Sequence, residues 1–154
     1  DHGDGPASDW ARKARAGDML KIAGPRGSRV ITGDIPNWVF VGDETALPAI
    51  ARRLAELPAT ARAVVRVQLR NPQDQRALAS AAQLDVAWVD SLTDAAQALA
   101  VPAGPGYIWA AGEHSEMAAL RGMLAAKPGV DAKRMRIAAY WKRGEADHHE
   151  NLTA

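Results

Sequence analysis

The chain has 154 residues, 19 Lys and Arg against 18 Asp and Glu, and no cysteine. That length suits one domain, or one domain with part of another, and is enough to bury a real core. The net charge of +1 points to neither a nucleic-acid nor a membrane partner. The missing cysteines exclude disulfides, thiolate nucleophiles and cysteine metal sites, and no apolar run approaches membrane-spanning length. No secretory signal opens the chain. It starts at Asp1 rather than Met, so the expectation is that the natural N-terminus lies upstream and that the protein is cytoplasmic.

Residues 1–33 differ from the rest. Asp1 to Ser8 reads as a loop, and Ala7 to Ala16 as a short helix. Gly17-Asp18 is a turn, and Met19 to Ala23 alternates like a half-buried strand. Gly24 to Ser28 is a second turn, followed by the short apolar piece Val30-Ile31. One helix and two short strands close no core, so this segment is read as the end of a preceding β domain.

From Trp38 the pattern changes. Trp38 to Val41 is a continuous β-branched and aromatic run, the mark of a strand buried on both faces, and Gly42 ends it. Leu47, Ile50, Leu54 and Leu57 then fall on one helical face, with Thr45 as the expected N-cap and Pro48 in the first turn. Free N–H groups at such a helix start attract anions. Ala63 to Leu69 is the second strand, and Gln73 to Ala82 reads as a helix. Val86 to Val89 is the third strand, followed by a helix over Thr93 to Ala100. Tyr107 to Ala111 is the fourth strand, and Glu113 to Ala126 a helix with Met117, Leu120 and Leu124 inward. Met135 to Trp141 is the fifth strand, before a polar tail.

Five strands separated by helices predict an α/β fold: a Rossmann-like five-stranded parallel sheet with helices on both faces. Ligands of such sheets bind at the C-terminal strand ends, where the strand order reverses. Gly42 to Thr45, Arg70, Asp90, Ala111 to Glu113 and Lys142 are expected there. An arginine after the second strand suits a ribose 2′-phosphate. Trp38, Trp88 and Trp109 are expected in the core, and His114 at the surface. His148-His149-Glu150 has no partner His at helical or hairpin spacing, so no metal site is expected. Two alternatives stand beside a nucleotide-dependent enzyme. One is a non-catalytic nucleotide- or partner-binding module. The other is a phosphorelay receiver using Asp43, Glu44, Asp90 and Lys142, which would need Ser or Thr where the fourth strand ends Ala110-Ala111-Gly112.

Three motifs in order, GDETALPAI, YIWAAGE and AYWKRG, together resemble the siderophore-interacting proteins. These are flavin-dependent ferric-siderophore reductases of the ferredoxin-reductase superfamily. GPASDWARKARAGDMLKIAGPRG resembles the last part of that family's FAD-binding β-barrel. The resemblance implies three parts: a barrel remnant at 1–33, an NAD(P)H-binding α/β domain at 34–144, and a polar tail at 145–154. It implies that Gly5, Pro6, Ala7 and Ser8 meet the FAD diphosphate. It places Gly42, Asp43, Glu44, Thr45 and Ala46 on the loop that takes the nicotinamide nucleotide phosphates. It places Ala111, Gly112 and Glu113 near the nicotinamide, with Tyr140 and Trp141 as the closing aromatic pair. Lys142, with Arg143, would meet the anionic ferric siderophore. FAD and NADPH or NADH are the implied cofactors, and no protein nucleophile is required. Most of the barrel is absent, so these residues alone are expected to turn over little substrate.

Overall fold

The computed structural model describes residues 6–24, 30–145 and 150–152. It divides into two compact units, Asp1–Asp34 and Ile35–Ala154. In the first unit, helix α1 spans Pro6–Lys13. Proline suits its first turn, where an N–H would have no intrahelical acceptor. Asp9 pairs with Arg12 one turn later. The strand expected over Met19–Ala23 is absent. Among the described residues of this unit no strand offers it a ladder, and an isolated strand gains nothing over solvated chain. Met19, Ile22 and Val30 are accordingly 90%, 86% and 74% exposed. Gly5 and most of the expected turn at 24–28 lie outside the described residues.

The second unit holds strands β1 (Asn37–Asp43), β2 (Arg62–Gln68), β3 (Gln83–Val89), β4 (Gly106–Glu113) and β5 (Met135–Trp141). All five are parallel, in the order β3-β2-β1-β4-β5. β1 is central and buried at every position, as its unbroken apolar run requires. Helix α2 (Leu47–Glu56) packs on one face of the sheet through Ile50 and Leu54. Helices α3 (Leu92–Ala98) and α4 (His114–Ala125) cover the other. There Leu92, Met117 and Leu120 close on Val39, Ile108 and Ile137. Among the described residues no helix is long and apolar enough to cross a membrane.

Two expectations fail in this unit, the helix before β3 and the core placement of two tryptophans. Gln73–Ala82 forms only a single 3-10 turn, Pro72–Asp74, with Asn71 Oδ1 accepting from the Gln73 N–H at 3.0 Å. The stretch has good helix propensity, but its only large apolar residue is Leu78, and short helices need a face to bury. Ser80 instead donates to the Leu54 carbonyl and accepts from the Ala82 N–H, tying the segment in an irregular path. With no helix between β2 and β3, the edge strand is only half covered, so Trp88 is half-buried rather than core. Trp109 is also half-buried, edge-on to Tyr140, whereas Trp38 is core. The polar tail folds back onto the sheet. β6 (Glu150–Asn151) pairs antiparallel with β5, and the Leu152 N–H donates to the Ile137 carbonyl at 2.9 Å. That covers the edge β5 would otherwise leave open. His148 and His149 lie outside the described residues.

Candidate functional site

The chain moves from β1 to β2 and β3 on one side, then returns to β4 and β5 on the other. The connections leave the C-terminal ends of β1 and β4 in opposite directions, so a crevice opens between them. It is a cavity of about 160 Å³, walled by Asp43, Glu44, Arg70, Glu113, Glu116, Trp141 and Arg143, with Gln68 and Leu69 at the β2 end.

Two glycines set its floor, and neither acts by turning the chain. Gly42 lies within β1 rather than ending it. A Cβ there would stand 2.4 Å from the Ala111 carbonyl oxygen and 2.6 Å from the Ala46 Cβ. The space over Gly42 is therefore filled by the fully buried Ala111 and Ala46. Gly112 leaves room for Asp43, whose Oδ2 would lie 2.8 Å from a Cβ at that position.

Asp43 is the hub, only 4% exposed. Its Oδ1 accepts from the Thr45 N–H (2.9 Å) and Thr45 Oγ1 (2.5 Å). Its Oδ2 accepts from the Glu113 N–H (3.0 Å) and the Trp141 indole N–H (2.8 Å). Thr45 is thus not the cap of α2; Ala46 holds that position without a side-chain bond. The expected ring of open amide donors is not formed either. The Thr45, Ala46 and Leu47 N–H groups go to Asp43 Oδ1, the Asp43 carbonyl and the Glu44 carbonyl, and Pro48 has none. Three of the N–H groups at this helix start are therefore already satisfied from within the turn.

Trp141 reaches the crevice through a register shift between Gly112 and Glu113, opposite which β5 carries an extra residue, Tyr140. Such a bulge re-aims the side chains that follow it. Tyr140 turns toward Trp109 and does not line the crevice; burial raises its phenol pKa against the opposing charge of Arg136. The Arg70 guanidinium lies over the Trp141 ring, 4.9 Å from its centroid, and its Nε pairs with Glu44 at 3.0 Å.

Glu113 caps α4, accepting from the Ser115 and Glu116 N–H groups through Oε2 and from the Arg143 N–H through Oε1. Burial pushes its carboxyl upward. The Arg143, Glu116 and Ser115 amides and the Arg143 charge outweigh that and hold it below the ordinary range. Glu116 shifts the other way, raised first by burial and then by Asp43, Glu113 and Glu44, with Arg143 opposing. A carboxyl with a raised folded pKa contributes stability that is complete below its unfolded value and lost as pH rises through the folded one. Glu116→Gln is therefore expected to raise the Tm at pH 7 by a few degrees, with the gain vanishing below pH 4.5. Melts at the two pH values check it.

The structure brings Asp43, Glu44, Arg70, Glu113, Trp141 and Arg143 together, with Thr45, Ala111 and Gly112 behind them. Asp90 and Lys142 are not among them. Asp90 ends the edge strand β3, and Lys142 pairs with Glu145 across a β-bridge. The receiver alternative fails here. Receivers have the order 2-1-3-4-5, which sets the third strand beside the first; here β2 separates them. Glu116 was missed by sequence reasoning, although Glu113 with Glu116 three residues on is capping-box spacing. His114 is paired with Glu150 of β6 at 3.2 Å rather than simply solvated. Among the described residues no group of three or more His, Cys, Asp or Glu is placed to hold a metal ion.

The order β3-β2-β1-β4-β5 with its crevice at the β1/β4 switch point defines a Rossmann-like domain. Residues 35–144 match the family model described as siderophore-interacting protein, and residues 1–29 that of the siderophore-interacting FAD-binding domain. The chain belongs to the siderophore-interacting protein family. It is 35% identical over 147 residues to the NADPH-dependent ferric-chelate reductase of Escherichia coli, covering 91% of this chain and 58% of that protein. It is 29% identical to the ferric vibriobactin reductase ViuB of Vibrio cholerae, covering 97% and 60%. A siderophore utilization protein from T. fusca superposes with a TM-score of 0.83 at 29% identity, covering 96% and 60%. SipS from Aeromonas hydrophila gives 0.77 at 28%, covering 94% and 60%. This chain thus spans about 60% of the length of these relatives. The sequence led to an expectation of FAD with NADPH or NADH, and FAD and NADPH are the cofactors these names carry.

Proposed function

We propose that the second unit binds NADPH in the β1/β4 crevice and serves a flavin-dependent ferric-siderophore reductase. The observation that carries this reading is Arg70. Its guanidinium is held over Trp141 and against Glu44 at the mouth of a switch-point crevice. The Nε pairs with Glu44, and among the described residues the two terminal nitrogens make no hydrogen bond or ion pair. Those nitrogens suit a phosphate monoester. Asp43 and Glu44 on one side and Glu113 on the other wall the space for the nucleotide, with Gly42, Thr45, Ala46, Ala111 and Gly112 behind them, and Trp141 closes the β5 side.

On this reading residues 1–33 belong to a flavin-binding barrel, 34–144 form the NADPH domain, and 145–154 follow it. The exposed Met19, Ile22 and Val30 support the first assignment, since they are apolar surface without a partner strand among the described residues of this unit. The first turn of α1, where Pro6, Ala7 and Ser8 stand, offers backbone N–H groups suited to a diphosphate. Gly5 would precede it. When bound, flavin supplies the exchange between two-electron hydride chemistry and the one-electron reduction of iron. Ferric siderophore is the substrate, and reduction loosens iron from hard oxygen donors. Arg143 at the crevice, with Lys142 once it leaves Glu145, would face such an anion. The proposed setting is the cytoplasm.

Isothermal titration of the chain with 2′,5′-ADP and 5′-AMP tests the nucleotide role. Arg70→Gln is expected to weaken 2′,5′-ADP binding about tenfold or more, the worth of a charged hydrogen bond, and to leave 5′-AMP nearly unchanged. Equal loss for both nucleotides, or none, would show that Arg70 does not hold the 2′-phosphate.

A further inference from the structure

The opposite end of the sheet carries a second, larger cavity of about 270 Å³. It opens between the N-terminal ends of β1 and β4 and the loops that lead into β4 and β5. Val39, Val101, Ile108 and Val130 line it with apolar surface, and Asn37 and Arg134 bring polar groups to it. Neither polar residue takes part in the nucleotide crevice.

Asn37 is 9% exposed. Its Nδ2 donates to the carbonyls of Ala103 (3.0 Å) and Pro105 (3.1 Å). Two acceptors on that side settle the amide orientation, because a flipped amide would set oxygen against oxygen. Among the described residues nothing donates to the remaining Oδ1. Buried acceptors of this kind are seldom left without a donor. Arg134 forms no ion pair among the described residues. Asp131 shares its rim, but Asp131 Oδ1 accepts from the Lys133 N–H at 2.9 Å. Gly104 and Gly129 border the opening with φ of +97° and +80°, conformations that side chains resist, so both loops are shaped around it.

We infer that this cavity binds a small amphipathic carboxylate. An N–H or O–H on the ligand donates to Asn37 Oδ1, its apolar body packs on the valines and Ile108, and its carboxylate meets the Arg134 guanidinium. The inference does not depend on the nucleotide reading.

Indole-3-propionate carries all three features and serves as the probe. In ¹H–¹⁵N spectra of the whole chain, it is expected to shift the Asn37 side-chain amide and the Gly104, Gly106 and Val130 backbone amides saturably. The expected Kd is about 1 mM or below. 1-Methylindole-3-propionate has no donor and is expected to bind the unaltered chain roughly tenfold more weakly. Arg134→Gln should weaken the parent acid by a similar factor while leaving indole-3-propionamide unchanged. No saturable shift at about ten times that concentration, shifts confined to the nucleotide crevice, or affinity indifferent to both changes would overturn the inference.

Discussion

Asp43→Asn is expected to destabilise the second unit by roughly 3 kcal/mol, because it turns acceptors toward donors in a buried place. Each carboxylate oxygen receives two donors, from Thr45 on one side and from the Glu113 N–H and Trp141 indole on the other. An amide of the same shape must present its NH2 to one of those pairs. Two buried donors then lose their acceptor, at about 1–3 kcal/mol each. For a unit of this size the Tm should fall by on the order of 10 °C. Where the NH2 faces the Oδ2 side, the change also breaks the bond that ties the Trp141 indole to β1. Urea titrations followed by tryptophan fluorescence measure both effects. A variant with unchanged midpoint would mean that Asp43 is not the hub described here.

The second large effect is Gly42→Ala, expected to cost roughly 3 kcal/mol or more. The added methyl would lie 2.4 Å from a backbone carbonyl of β4 and 2.6 Å from the first residue of the α2 turn. No flexible side chain is there to yield, so β1 and β4, the central pair of the sheet, must part at the crevice floor. Gly122→Ala is the control. It lies exposed in α4 with nothing within 4 Å of a new Cβ, so it should stabilise by about 0.5–1 kcal/mol. Paired denaturant melts separate the two. If Gly42→Ala were tolerated like Gly122→Ala, the close approach of β1 to β4 would be wrong.

These residues mark where sequence reasoning stops. The strand-to-helix change at Trp38–Leu57 was legible because the apolar period switches within a few residues, and β1 and α2 follow from it. Alternation over Met19–Ala23 described a face but not a partner, and without a partner no strand forms. The Ala-rich stretch after Pro72 offered propensity without an apolar stripe, and propensity alone did not hold a helix. At the crevice, the positions of Gly42–Ala46 and Ala111–Glu113 followed from strand ends, but their roles did not. Asp43 looks like a polar turn residue until Trp141, 98 positions later, is laid against it by a bulge in β5. Arg70 was legible as a cation after β2; its stacking on Trp141 was not, since nothing local relates the two. Long-range contacts of this kind are set by strand order and register, which a single sequence states only weakly.

The central claim is that the nucleotide occupies the β1/β4 crevice, and the most direct measurement is a ¹H–¹⁵N titration of the chain with NADP⁺. The account predicts saturable shifts concentrated at Glu44, Thr45, Arg70, Gly112, Glu113 and the Trp141 indole N–H. Little change is expected at Gly104, Gly106 and Val130 at the far end of the sheet. Shifts that spare the crevice residues, or none at saturating nucleotide, would contradict it.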